Sequence, residues 1–103
     1  METSLDMNID DLLREAIRAN ASDLHLKIGN RPSLRVDGEL VPLTQCPPIS
    51  STEMEAMAIG VMTPRQQQRF QDMTEIDVAY SVEGAGRFRV NVFHETGALG
   101  MAV

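Results

Sequence analysis

One segment sets the fold class: Gly84-Ala85-Gly86-Arg87-Phe88-Arg89-Val90-Asn91-Val92-Phe93. Its apolar residues alternate with arginine and asparagine, which is the period of a β-strand with one buried face. Arg87 and Arg89 therefore lie on the exposed face, about 7 Å apart, because a strand rises about 3.3 Å per residue. Two interpretations are open. The arginines are solvated side chains on a half-exposed strand, or they form an anion-binding pair, since a planar guanidinium suits phosphate and carboxylate.

A second alternating segment, residues 76–82, precedes this strand and predicts a hairpin with a turn at Glu83–Gly86. Only a loop of three or five residues puts the apolar residues of both strands on one face. That register places Asp77 on the same face as Arg89 and Asn91. Asp77 is then a candidate to neutralise Arg89 across the strands, which is the structural alternative to anion binding.

Two helix patterns supply most of the predicted core. Asn8 is a predicted N-cap, and the helix that follows ends near Asn20. Both Ser50-x-x-Glu53 and Thr52-x-x-Glu55 fit a capping box before the second helix. Methionine at helical spacing is typical of a buried face. The predicted buried positions are Ile9, Leu12, Leu13, Ala16 and Ile17 in the first helix, and Met54, Met57, Ala58, Val61 and Met62 in the second.

The remaining patterns predict a short helix and four more strands. Thr63-Pro64 begins a helix that runs to about Asp72, with Phe70 buried and its three glutamines facing water. Strands are expected near residues 24–28, 34–36, 39–43 and 98–103, with Asp37-Gly38 as a type I′ turn and another turn at residues 94–97. The strand at 98–103 is expected to leave an open sheet edge.

The composition fits one compact domain and argues against several classes of protein. The 103 residues are 43% hydrophobic and include no tryptophan, so aliphatic and methionine side chains must fill the core. A net charge of −6 disfavours nucleic acid and basic membrane-binding faces. No apolar run approaches the roughly 20 residues of a transmembrane helix, so no membrane insertion is expected. The single cysteine, Cys46, is predicted in a loop and fits a cytosolic compartment. Residues 1–7 have no periodicity and are predicted to be disordered.

Two spaced motifs resemble a known family. The first is Ala21-Ser22-Asp23-Leu24-His25-Leu26, followed by Gly29, Pro32 and Arg35-Val36-Asp37-Gly38-x-Leu40, and the second is Gly86-Arg87-Phe88-Arg89-Val90-Asn91-Val92-Phe93. Together they resemble the N-terminal domain of the PilT/PilU-like type IV pilus retraction ATPases, within the type II/IV secretion ATPase superfamily. The resemblance implies a PAS-like α+β fold, with an antiparallel sheet of about five to six strands and helices packed on one face. This fold agrees with the element order derived above.

The resemblance also implies a larger assembly. Residues 8–103 are expected to be a PAS-like N-terminal domain, truncated before a RecA-like catalytic domain. The full-length protein would be a cytoplasmic homohexamer that uses ATP and Mg²⁺ and works with the inner-membrane machinery at the base of the pilus in twitching motility. This sequence contains no Gly-x-x-x-x-Gly-Lys-Ser/Thr phosphate loop and no Walker B segment. The chain alone is therefore expected neither to hydrolyse ATP nor to bind nucleotide tightly.

Candidate site residues follow from the same resemblance. In the family, arginines of the N-terminal domain reach the nucleotide site at its interfaces with the catalytic domains, and this role falls on Arg87 and Arg89. His25, on the polar face of its strand, is expected to pack or hydrogen-bond at the sheet edge, and the family motif implies an interdomain role for it. Arg35 is a candidate interface residue. No catalytic residue is expected in this chain, and no metal site, because its histidines and cysteine lack ligand spacing.

Three functions remain open at this point. The first is a regulatory and assembly domain of a hexameric motor, in pilus retraction or in a related type II secretion or pilus-extension ATPase. The second is a PAS-like module that binds a small ligand, which the low aromatic content of 4% disfavours because few rings are present to line a pocket. The third is a structural interaction domain whose charged strand docks a partner.

Overall fold

The structure, a computed structural model, describes residues 8–95 and 98–103, without the side chains of Glu95 and Ala98. The predicted disordered tail, residues 1–7, lies outside the described residues. In chain order the elements are α1 (Ile9–Arg18), β1 (Asp23–Lys27), β2 (Ser33–Val36), β3 (Glu39–Pro42), α2 (Ser51–Val61), α3 (Pro64–Phe70), β4 (Glu75–Val82), β5 (Gly86–Glu95) and β6 (Ala98–Ala102). This is the predicted order. Within the described ranges, no helix is long and apolar enough to span a bilayer.

All six strands form one antiparallel sheet in the order β3-β2-β1-β6-β5-β4. The last strand, β6, lies inside the sheet, where Met101 pairs with Leu26 of β1 and with Val92 of β5. The prediction of an open edge at residues 98–103 is therefore wrong, because the edges are β3 and β4. Alternation identifies a strand, but it does not show which distant strands will pair with it.

The two hairpin predictions are confirmed. Val82 pairs with Gly86, so the β4–β5 loop has three residues and the apolar side chains of both strands share one face. In the β2–β3 turn, Asp37 has φ 52° and Gly38 has φ 85°, as a type I′ turn requires. The prediction that a turn begins at residue 94 is wrong. His94 continues β5 and its N–H donates to the Thr74 carbonyl at 2.9 Å, while residues 96 and 97 lie outside the described residues.

The core lies between one face of the sheet and the helices. The Asn8 side chain caps α1 by accepting from the Asp11 N–H at 2.9 Å. Ile17 is the exception among the predicted core positions of α1, since it is 54% exposed. It lies at the border of the apolar stripe, about 80° around the helix from Ile9. Fully buried side chains from both layers include Leu12, Leu13, Leu24, Leu26, Met54, Val90, Val92 and Met101.

Side-chain hydrogen bonds satisfy backbone groups at the ends of α2 and α3. Ser50, rather than Thr52, caps α2, and it forms a complete capping box with Glu53. In α3, Gln66 accepts from the Thr63 N–H at 2.9 Å, and Gln67 donates to the Met62 carbonyl at 3.1 Å. The prediction that all three glutamines face water is therefore wrong for two of them, because helix ends leave backbone groups that side-chain amides can satisfy.

On the opposite face of the sheet, the Phe93 ring lies close to Gly100. Phe93 of β5 and Gly100 of β6 are cross-strand partners. A Cβ atom on Gly100 would lie 2.6 Å from Phe93 Cε1 and 2.8 Å from Cζ. The ring therefore occupies the space that any side chain at position 100 would need.

We expect Gly100→Ala to lower the free energy of unfolding by about 1 kcal/mol, because the added methyl group must displace the end of the half-exposed Phe93 ring. Gly60→Ala is the matched control. Gly60 lies in α2 with open space where its Cβ would be, so alanine should stabilise the domain by about 0.5–1 kcal/mol. Urea denaturation measures both changes. A Gly100→Ala protein as stable as the parent would contradict the packing of this ring.

Candidate functional site

The sheet face that the helices leave open carries the candidate site. The three-residue loop fixes the register, so Asp77 pairs with Asn91, Ala79 with Arg89, and Ser81 with Arg87. All six side chains belong to this face because their neighbours in the strands point into the core. Arg87 is exposed, and the Arg89 side chain is 82% exposed. The structure therefore places both predicted arginines on one strand, facing solvent.

Asp77 joins Arg89 to a short chain of hydrogen bonds. Arg89 Nη2 donates to Asp77 Oδ2 at 2.9 Å, and Asn91 Nδ2 donates to Asp77 Oδ1 at 3.1 Å. Asn91 Nδ2 also donates to Glu75 Oε1 at 2.8 Å. The bond from Arg89, followed by that from Asn91, holds the pKa of Asp77 below its ordinary value, and the same pairing raises the pKa of Arg89. The predicted cross-strand pair is confirmed.

Arg87 differs from Arg89 in having no such partner. Within residues 8–95 and 98–103, the Arg87 side chain makes no hydrogen bond or ion pair. Its cross-strand neighbour is the neutral Ser81. The two arginines border a surface depression of about 460 Å³, which is also lined by Asp77 and Ala79. One guanidinium is therefore bound to a carboxylate, and the other is open to an incoming anion.

His25 and Arg35 lie on the same face but on the other half of the sheet. His25 pairs with Ser33 on one side and Ala102 on the other, so it is half-buried inside the sheet and the predicted edge position is wrong. Arg35 Nη1 donates to the Gly38 carbonyl at 3.0 Å, and its Nε lies 3.3 Å from an Asp23 carboxylate oxygen. The observed contacts of Arg35 thus stabilise the β2–β3 turn and the β1–β2 pair.

The other histidine and the cysteine lie apart from this face. His94 points to the helices, and its ring stacks on Phe70 with 4.4 Å between centroids. Cys46 lies in the β3–α2 loop, as predicted, and is buried; burial, with a smaller effect of the Glu15 charge, raises the pKa of its thiol. In the part of the chain that the structure describes, no three His, Cys, Asp or Glu side chains are arranged to hold a metal ion.

A second polar cluster, which the sequence did not reveal, joins the sheet to α1. The Tyr80 hydroxyl donates to an Asp10 carboxylate oxygen. Arg14 pairs with Asp11 at 3.3 Å and donates to the Glu83 carbonyl, also at 3.3 Å. The hydrogen bond to Asp10, followed by burial and the charge of Asp10, raises the pKa of Tyr80 to about 12. No local pattern could indicate this contact, because its residues are 70 positions apart.

The chain shows clear similarity to pilus ATPases. It is 36% identical over 94 residues to the type IV pilus retraction ATPase PilT of Pseudomonas aeruginosa, which covers 91% of this chain and 27% of PilT. It is 34% identical over 97 residues to the type IV pilus ATPase PilU of the same organism, covering 94% of this chain and 25% of PilU. The chain is homologous to PilT and PilU over this domain. It spans about a quarter of the length of these relatives. No family model matches the chain.

Solved structures show the same relationship. A crystal structure of the pilus retraction motor PilT with bound ADP superposes with a TM-score of 0.86 at 33% identity, over 94% of this chain and 28% of that one. The Legionella pneumophila ATPase DotB superposes with a TM-score of 0.75 at 25% identity, over 91% of this chain and 27% of DotB. The resemblance indicated by the two motifs is confirmed, and the α+β fold is that of the PilT N-terminal domain.

Tyr80 gives a direct test of the second cluster, because it is the only tyrosine and the chain has no tryptophan. We expect its ultraviolet titration to have a midpoint at about 12. Since the folded pKa is raised, the stabilisation from this hydrogen bond is complete below the unfolded pKa of about 10 and is lost as pH rises through the folded pKa.

Asp10→Ala should move the titration midpoint back towards the ordinary tyrosine pKa. Asp11→Ala is the control, because it removes the same charge from the same helical turn but not the acceptor of the Tyr80 bond. A parent midpoint at the ordinary value, measured while the domain is still folded, would contradict the contact.

Proposed function

We propose that this chain is the N-terminal regulatory and assembly domain of a hexameric ATPase motor that drives type IV pilus retraction. The observation that carries the proposal is a solvent-exposed pair of arginines, Arg87 and Arg89, on one strand of a domain homologous to PilT. In this proposal residues 8–103 precede a RecA-like catalytic domain that binds ATP and Mg²⁺. The arginines contribute to the nucleotide site at an interface between domains.

The physical case rests on where the arginines lie. Phosphoryl transfer is accelerated chiefly by positioned positive charge that stabilises the transferring group. A strand inside a sheet fixes the origin of each side chain more closely than a loop does. Both guanidinium groups are exposed and carry several unused donors, so they can meet a phosphate held by another domain. This chain has no phosphate loop, and the nucleotide would therefore be held elsewhere.

The same proposal assigns partners and a location. The domain contacts its own catalytic domain and neighbouring subunits of a homohexamer. The assembly works in the cytoplasm, at the inner-membrane base of the pilus. His25 and Arg35 are proposed interface residues on the half of the sheet away from the arginine pair. His25 is half-buried and Arg35 is bonded to Asp23 and Gly38, so any such contact involves the strand surface rather than free side chains.

A related secretion or pilus-extension ATPase is the second candidate function. The similarity to DotB supports it, because this domain fold is shared beyond the pilus retraction ATPases. The higher identity to PilT favours retraction. A non-enzymatic PAS-like interaction module is the third candidate, and it predicts that the arginines have no effect on catalysis.

In the full-length protein we expect Arg89→Ala, and also Arg87→Ala, to lower ATP turnover by about tenfold or more and to slow retraction. Thermal unfolding should change little, since both side chains point away from the core and their removal opens no cavity. Steady-state turnover and melting temperature are to be measured on the same preparations.

Asp77→Ala is the matched control for loss of the ion pair. If Arg89 is only a cross-strand partner, then Arg89→Ala and Asp77→Ala will behave alike and neither will change turnover. That result would remove the nucleotide role from this strand.

For residues 1–103 alone we expect no ATP hydrolysis and an ATP affinity weaker than micromolar, because the sequence contains no phosphate loop. We also expect no hexamer, because in this proposal the hexamer contacts run between N-terminal and catalytic domains. Calorimetric titration and sedimentation check the two points. Micromolar ATP binding, or a stable six-fold species, would contradict the proposal that nucleotide binding and hexamer formation require the catalytic domain.

A further inference from the structure

The two arginines of the candidate site are not equivalent, although they lie two residues apart on one strand. Arg89 donates to the Asp77 carboxylate at 2.9 Å. Arg87 has no ion pair or hydrogen bond among the described residues, and its cross-strand neighbour is Ser81. An anion that approaches this face therefore meets one free guanidinium and one whose charge is already balanced.

Resting on the function proposed above, we propose that Asp77 makes the contact between Arg89 and phosphate conditional on the charge of the phosphate. Asp77 competes with the anion for Arg89, and only a highly charged polyphosphate displaces it. Arg87 binds first and with little selectivity. Asp77 is thus a specificity-determining residue that favours a triphosphate over a less charged product.

Exposure makes the exchange feasible. The Arg89 side chain is 82% exposed and that of Asp77 is 47% exposed, so water and salt screen their attraction. Arg89 uses only its Nη2 atom for Asp77. A polyphosphate offers more negative charge than one carboxylate and can accept two parallel N–H bonds from a guanidinium. A polyphosphate can therefore displace Asp77 from Arg89, whereas a weakly charged anion binds Arg89 too weakly to do so.

The neighbours of Asp77 determine how its carboxylate is stabilised once Arg89 leaves it. Asn91 donates to Asp77 Oδ1 at 3.1 Å, so the carboxylate keeps one hydrogen bond when Arg89 leaves. The same Asn91 amide also binds the Glu75 carboxylate at 2.8 Å. Loss of Arg89 leaves two carboxylates around one neutral amide, and their repulsion opposes release. The exchange is therefore possible, but it requires an incoming anion of high charge.

The test uses residues 1–103 and two inorganic probes, orthophosphate and tripolyphosphate. Titrations are followed through the side-chain Nε–Hε resonances of the two arginines. In the parent we expect tripolyphosphate to shift both resonances and orthophosphate to shift mainly that of Arg87. In Asp77→Asn we expect Arg89 to respond to both anions, with the tripolyphosphate concentration at half response lowered by about threefold or more.

Glu83→Gln is the matched control, because it removes one negative charge from the adjoining turn while Glu83 contacts Arg14 only through its backbone carbonyl. Its Arg89 response should remain that of the parent. An Arg89 response in Asp77→Asn that is equal to or weaker than that of the parent, or no response of Arg89 in either protein, would overturn the inference. The proposed function is judged separately, by whether Arg89→Ala lowers ATP turnover of the full-length protein.

Discussion

Pairing of β6 with β1 and β5 is the contact on which the rest of the domain depends. Without this strand, the sheet would be two separate pieces, β1 to β3 and the β4–β5 hairpin. Met101 of β6 is buried on the face that packs against the helices, and Gly100 leaves room for the Phe93 ring on the opposite face. Only the joined sheet presents one continuous apolar face to the helices. Met101 of β6 belongs to the core, so the core is complete only when this strand is paired on both sides.

The helices cover only one face of the sheet, and the charged residues of the strands therefore lie on the other face. Alternation along each strand sends its polar residues to the uncovered face, whatever their function. Arg35 shows that this position does not by itself make an anion ligand, because its Nε and Nη1 atoms already contact Asp23 and the Gly38 carbonyl. Arg87 lies on the same face, and among the residues that the structure describes its donors have no partner. Pairing, together with exposure, therefore decides how readily an arginine on this face can bind an anion.

The sequence predicts what depends on residues close together in the chain. The Asn8 and Thr63 caps, the Asp37-Gly38 turn and the Asp77–Arg89 pair all follow from short spacings or from a hairpin register. Some failures are local, such as the exposed Ile17 and the two glutamines that bond to helix ends. The others come from pairing between distant segments. No local sequence pattern indicates that β6 lies inside the sheet or that Tyr80 bonds to Asp10. The bond from Asn91 to Glu75 could have been found by extending the hairpin register two residues further.

Strand geometry is sufficient to make the two arginines of β5 unequal. Both face a small neutral residue directly across the hairpin, Ala79 for Arg89 and Ser81 for Arg87. Diagonal neighbours lie about 7–8 Å away, which a long side chain can reach. Arg89 reaches Asp77 on its diagonal, whereas the equivalent diagonal position for Arg87 is Ala79, which has no acceptor in its side chain. The placement of one carboxylate in β4 thus gives Arg89 a cross-strand partner and gives Arg87 none within the hairpin.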